Sequence, residues 1–285
     1  MSVIIALSGK KQSGKSTLAE YLKTRLLFSQ VPEIENFIQD QSGKVFVKVR
    51  DESSLVRDRD IQFHSKITLP ERHLRIVIYS FADALKEFCI NVLGLSPEQV
   101  YGTDEQKNSL TDMCWYTVPE YIRWKNGTRE VRTKNNECLI KDLSIDSELE
   151  YLEKLREGYH FDGFKMGRMT AREIMQVVGT DVMRNMFSDK IWVNATFRKI
   201  KNDNPDVAII ADMRFPSEVF ALEENNGYTI RLKRIVSSSD IHPSEISLDN
   251  WEWKNDDKHL VVPEDADIPT KNEIAWNFVK NIEIP

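Results

Sequence analysis

At 285 residues the chain is long enough for one large α/β domain with insertions or for two small domains. Apolar residues at 41% and charged residues at 29% describe an ordinary soluble globular protein, and no apolar run approaches a membrane span. A net charge of −6 excludes a surface built to coat nucleic acid, so an anionic substrate has to be met by a few local cations in a cleft.

The first apolar run, "VIIALS" (3–8), reads as a strand, and "LSGKKQSGKST" follows it with the spacing G-x-x-x-x-G-K-S. Gly9 and Gly14 let backbone N–H groups turn inward around a phosphate, and the helix expected over 16–28 adds its positive end to that nest. Lys15 reaches the β- and γ-phosphates in such a loop, the Ser16 hydroxyl ligates Mg²⁺, and Gln12, Ser13 and Thr17 complete the phosphate contacts. Residues 29–74 are polar and charged, with a hairpin expected around "GKVFVKV" and a solvated face in "RDESSLVRDRD". A second strand, "RIVIYSF" (75–81), leads into a helix over 82–93. Residues 115–165 interrupt the pattern with a turn signal at Asn126-Gly127 and a helical stretch, "SELEYLEKLREGY". Both interruptions are read as insertions in one domain, either surface elaboration or a substrate-binding lid. Helices are expected over 170–186 and 189–202, a strand at "VAIIA" (207–211), a helix over 216–225, strands at "YTIRLK" (228–233) and "HLVV" (259–262), and a helix over 270–281. Strands that are continuously apolar belong in a parallel sheet covered on both faces, with active residues at the strands' carboxyl ends.

A P-loop enzyme also needs an acidic group near the metal, at the end of a neighbouring strand. Asp212 closes "VAIIAD", and Arg214, Pro216 and Glu218 follow in the same turn. A carboxylate and a guanidinium two residues apart suit a hydrated Mg²⁺ and a phosphoryl oxygen; the alternative is a helix-capping Asp beside a solvent-facing Arg. Lys11, Lys86, Lys107 and Arg172 lie near predicted element ends and, with Arg214, offer the local cations that a second anionic substrate demands. No N-K-x-D element and no D-x-x-G after an apolar strand supports a GTPase, and a motor would be larger and more basic. A small-molecule kinase is the reading preferred. Cys89, Cys114 and Cys138 form no C-x-x-C pair, and the five histidines lack zinc spacing, so a cytoplasmic protein without disulfides or zinc is expected.

Together, "LSGKKQSGK", "SFADALKE", "REIMQVVGTDVM", "DKIWV", "DMRFPSE" and "HPSE" resemble, in order and spacing, the deoxynucleoside monophosphate kinases of tailed bacteriophages. The resemblance covers roughly the first 28 residues, 75–107, and 168 onward; residues 29–74 and 115–165 are not explained by it. It implies an α/β P-loop nucleotide-kinase fold with a five-stranded, mostly parallel sheet, and ATP- and Mg²⁺-dependent phosphorylation of deoxynucleoside monophosphates. Lys15 then binds the transferred phosphoryl group, and Asp212 and Arg214 organise metal and phosphate. Lys11, Lys86, Arg172 and the Gly179-Thr180 turn contact the acceptor. Trp192 either borders that substrate or is a core aromatic. Glu218, His242 and Glu245 match the pattern without an assigned role, and a homodimer is plausible from the resemblance alone. The alternatives are a P-loop kinase for another small phosphorylated acceptor and a nucleotide-binding protein without turnover.

Overall fold

The computed structural model describes residues 2–10, 13–40, 42–65, 67–68, 74–115, 118, 160–161, 164–165, 168–233 and 246–284. It divides into two units, Met1–Asp83 with Lys190–Pro285, and Ala84–Asp189. In chain order the first unit begins with β1 (Val3–Gly9), α1 (Lys15–Phe28), β2 (Ile34–Gln39), β3 (Val45–Val49), β4 (Leu55–Arg57), a 3₁₀ turn (Asp58–Phe63) and β5 (Ile76–Tyr79). Helix α2 (Asp83–Asn91) leads into the second unit, which continues with α3 (Pro97–Tyr101), α4 (Asp104–Lys107), β6 (Leu110–Cys114), β7 (His160–Phe161), β8 (Phe164–Lys165), β9 (Arg168–Thr170), α5 (Ala171–Gln176) and a π-helix (Val177–Phe187). The chain then returns to the first unit through α6 (Ile191–Asp203), β10 (Val207–Met213), α7 (Pro216–Glu224), β11 (Tyr228–Leu232), β12 (His259–Val262) and α8 (Ile268–Val279).

The five apolar runs expected as strands form one sheet, in the order β12-β11-β1-β10-β5, and every pairing in it is parallel. Because successive side chains of a strand face opposite ways, β1 feeds two cores. Ile5 and Leu7 join Leu18, Leu22 and Leu26 of α1 and Ala275 and Val279 of α8 on one face. Ile4 and Ala6 join Val193 and Ile200 of α6 and Val219 and Leu222 of α7 on the other. The four-residue spacing of Leu18, Leu22 and Leu26 places them on one stripe of α1, which is why that helix lies along the sheet. Helix α7 starts at Pro216, whose missing N–H costs nothing in a first turn.

One irregularity matters for the site. Ala6 pairs with Ile210, but Ser8 pairs with Met213, so β10 carries one extra residue across Ala211 and Asp212. Such a bulge breaks the in-out alternation and re-aims a side chain at a strand's end. Asp212 is thereby released from the core face that Ile210 and Met213 share.

The hairpin expected around "GKVFVKV" is present: β2, β3 and β4 make a small antiparallel sheet with its own core of Val47, Val49 and Ile61. The helix expected over 170–186 begins as α5 but widens at Val177 into a π-helix of 11 residues. Val177, Val178, Thr180 and Val182, with Gly179 among them, are poor formers of a tight helical turn. The Asn126-Gly127 turn and the helical stretch after it lie outside the described residues. No helix among the described residues is long and apolar enough to cross a membrane.

Two outcomes check this packing. Leu22→Ala, at a site with 0% exposure, is expected to cost about 2–5 kcal/mol in denaturant unfolding. Burial pushes the Cys89 thiol up to about 11, so its thiolate is scarce at pH 8. Mass spectrometry after iodoacetamide treatment at pH 8 should find Cys89 unlabelled in the native protein and labelled in denaturant.

Candidate active site

The phosphate loop stands at the carboxyl end of β1. Gly14, at φ 89, occupies the left-handed conformation that lets the chain turn directly into α1. At Gly9 a Cβ would come within 2.4 Å of Ser13 Oγ and 2.9 Å of the Leu232 carbonyl, so only glycine allows the loop to close. The Lys15 ammonium is buried to 7% exposure and donates to the carbonyls of Gly9 and Lys10, both at 2.7 Å, and more distantly to Ser13 Oγ at 3.5 Å. Ser13 is buried and its N–H donates to the Lys10 carbonyl at 3.1 Å, while Ser16 is exposed on the first turn of α1. The loop thus holds a cation inside its curve and offers the first-turn amides and a hydroxyl at a helix's positive end. Lys11 and Gln12 lie outside the described residues.

Asp212 does more than stand at a strand's end. Its Oδ1 accepts from the Phe81 amide at 2.7 Å, and its Oδ2 accepts from Ser80 Oγ at 2.5 Å and the Ala82 amide at 3.2 Å. These donors form the turn between β5 and α2, so the carboxylate sits at the positive start of a helix and ties two strand ends together. Asp83 completes that turn by accepting from the Ser80 amide at 2.9 Å. The sequence contained the "S-x-x-D" signal of a capped helix at Ser80, but nothing pointed to a partner 132 residues away.

Glu218 gains a role here. It is 1% exposed, and its Oε2 accepts from the amides of Arg214 at 2.6 Å and Phe215 at 3.1 Å. A buried carboxylate that takes the amides of the N-cap residue and the one before it fixes the chain's entry into α7. Arg214 is therefore pinned on both sides, by Asp212 two residues before it and by Glu218 four residues after.

Two further cations border the loop strand. Arg231 pairs with Ser8 in the parallel register, donates to Ser8 Oγ at 2.9 Å, and lies 4.8 Å from the Trp253 ring centre. Burial pulls its pKa down, and the nearby Asp249 carboxylate pushes it back. Asp249 also pairs with Lys10 at 3.1 Å, which anchors the segment after residue 246 to the loop. Trp192 is buried at 6% exposure on α6.

In the second unit the expected cations gather around α3 and α4. Lys86 lies 4.9 Å from the Tyr101 ring centre. Arg172 donates from Nε to Asn108 at 2.8 Å and from Nη2 to Asp104 at 2.6 Å, which brings it to the helix that carries Lys107. Arg172 sits in the first turn of α5, capped by Thr170, whose hydroxyl accepts from the Glu173 amide at 3.2 Å. Gly179 lets the π-helix approach α2, since a Cβ there would meet Leu85 at 2.5 Å; Thr180 beside it is 6% exposed. His242 and Glu245 lie outside the described residues. Among the described residues no cluster of three His, Cys, Asp or Glu side chains forms a protein-built metal cage.

Comparison with known proteins adds two kinds of finding. The family described as "Deoxynucleotide monophosphate kinase" matches residues 163–266, the stretch that carries Arg172, Gly179, Asp212, Arg214 and Glu218. A protein of Acanthamoeba polyphaga mimivirus, provisionally named a deoxynucleotide monophosphate kinase, is 26% identical over 250 residues, 86% of this chain and 82% of that one. A protein of Escherichia phage T5 named "Deoxynucleoside-5'-monophosphate kinase" is 31% identical over 153 residues, 52% of this chain and 59% of that one.

The pinning of Arg214 makes Glu218 testable through stability. Glu218→Ala leaves two amides without their acceptor and is expected to lower unfolding free energy by about 2–3 kcal/mol. Glu218→Gln keeps an acceptor oxygen and should lose less than half of that in the same urea titration.

Proposed function

We propose that the chain is a deoxynucleotide monophosphate kinase, like the family and the relatives it resembles, and that it transfers the γ-phosphoryl group of ATP to deoxynucleoside monophosphates. The observation that carries the reading is the phosphate loop itself, with the Lys15 ammonium held inside its curve by the Gly9 and Lys10 carbonyls. A phosphate oxygen of the acceptor attacks the γ-phosphorus, the bond between that phosphorus and the β,γ-bridging oxygen breaks, and ADP departs with the electron pair. Little covalent chemistry falls to the protein, which has to hold the reactants in line and offset negative charge.

The donor's phosphates lie on the amides of the loop from Gly9 to Thr17, with the Lys15 ammonium exchanging its carbonyl partners for phosphate oxygens. Arg214 faces the charge that develops on the moving group, held there by the backbone that Asp212 and Glu218 fix. Lys11, Lys86, Lys107, Arg172 and the Gly179-Thr180 pair, which lies within the π-helix rather than in a turn, are assigned to the acceptor's phosphate. The residues present suit Mg²⁺, which keeps several waters and binds few protein groups. Ser16 offers an exposed hydroxyl; Asp212, with three hydrogen bonds already accepted, has room for one contact through water. When bound, the ion would neutralise charge on the β- and γ-phosphates.

A coupled assay of ADP release, run with ATP and each common deoxynucleoside monophosphate, tests the reading. Turnover that depends on the acceptor is expected. ADP release indifferent to every nucleoside monophosphate would overturn it. In the same assay Lys15→Met is expected to remove turnover, and Arg214→Ala to reduce it by roughly 10²-fold. Wild-type rates in either variant would cancel the role given to that residue.

A further inference from the structure

The β2–β3 hairpin belongs to none of the motifs that resemble a kinase, yet it reaches the phosphate-binding helix. Strand β2 ends at Gln39, whose amide nitrogen donates to the carbonyl of Thr17 at 2.7 Å and to that of Gly43 at 3.1 Å. Its amide oxygen accepts from Asn272 Nδ2 on α8 at 2.9 Å, and Asn272 is only 4% exposed. One planar amide therefore joins the first turn of α1, the hairpin tip and α8, with both donors used and the oxygen engaged.

The tip is itself firmly built. Asp40 Oδ1 accepts from the Ser42 amide at 2.9 Å, the Ser42 hydroxyl at 2.7 Å and the Lys44 amide at 2.9 Å. Gly43, at φ 83, turns the chain so closely that a Cβ there would lie 3.4 Å from Thr17 Oγ1 and Cγ2. Behind the tip, Val45 is buried in the same core as Leu18 and Leu22 of α1, and Phe37 packs against that core. The hairpin is thus rooted in the main core and presses on the turn that carries Ser16 and Thr17.

We infer that the β2–β3 hairpin is a positioning element of the donor-phosphate site and that Gln39 is the residue through which it acts. The inference rests on the reading of Gly9–Thr17 as the ATP site. A helix's first turn lacks the bonds that hold its interior and frays most easily. A donor site needs the amides and hydroxyls of that turn held to a fraction of an ångström. Gln39 clamps the turn from outside with a neutral group, which neither repels a bound phosphate nor competes for it.

Gln39→Met keeps the side chain's bulk without its hydrogen bonds, and Gln39→Glu sets a carboxylate against two carbonyl oxygens. The readouts are the dissociation constant of Mg·ATP by calorimetry, the KM for ATP, the KM for the acceptor, and the melting temperature. Gln39→Met is expected to raise the Kd and KM for ATP roughly three- to tenfold, the effect of one or two lost hydrogen bonds, while the acceptor's KM stays put. Gln39→Glu should raise them further. If Gln39 variants do not fold, Asn272→Leu decides the matter, because it frees the same amide from its far side and should raise the Kd for ATP in the same direction. Both KM values moving together, or a lower melting temperature with an unchanged Kd for ATP, would overturn the inference. Wild-type protein that binds no ATP would instead overturn the functional reading beneath it.

Discussion

The carboxylate of Asp212 is the constraint on which the site depends. By accepting three hydrogen bonds from the turn of Ser80, Phe81 and Ala82, it joins the carboxyl ends of β10 and β5. Charge-assisted bonds to backbone amides at a helix start are strong and directional. They set the course of the chain into α2 on one side and into Arg214 on the other. Glu218 repeats the device one turn later, so the backbone of Arg214 runs between two anchored carboxylates. Of the two expectations for Asp212, the geometry shows the one of an aspartate at a helix start. Asp212 caps a helix belonging to another strand, and by doing so it orders the segment that holds Arg214.

Much of the fold was legible in the sequence because a buried parallel strand has to be apolar on both faces. "VIIALS" and "VAIIA" could hardly be anything else, and their sheet partners followed by the same logic. The phosphate loop was legible for a different reason, since its glycines answer local geometric demands that no distant residue relieves. The π-helix was not legible: over 11 residues from Val177 to Phe187 an apolar pattern does not tell a wide helical turn from an ordinary one. Glu218 was visible as part of a pattern, but its burial and its two amide partners are tertiary facts. Gln39 gave no signal, being one polar residue in a polar stretch, and its importance arises from where the hairpin tip comes to rest.

The first unit also shows how a neutral amide and a charged side chain divide labour near an anion site. Cations cluster at the loop: Lys15 inside its curve, Lys10 at its rim and Arg231 behind its strand. Gln39 and Asn272, which brace the first turn of α1 from outside, are neutral, and the Asp249 carboxylate beside the loop is paired with the Lys10 ammonium. A bare carboxylate beside Thr17 would oppose the very ligand the loop is shaped to hold.

The extra residue of β10 has a bearing on how this chain is able to change. Between Ile210 and Met213 the strand counts one residue more than its partner β1, and that surplus frees Asp212 from the core face. Removing a single residue there would restore regular alternation and turn the carboxylate into a hydrophobic core. Adding one would swing it off the turn it holds. Exposed connections away from the loop can lengthen or shorten at little cost. The arithmetic of "IADM" allows no such freedom, so lineages that keep the chemistry should show elastic lengths elsewhere and an unvarying count across these few positions.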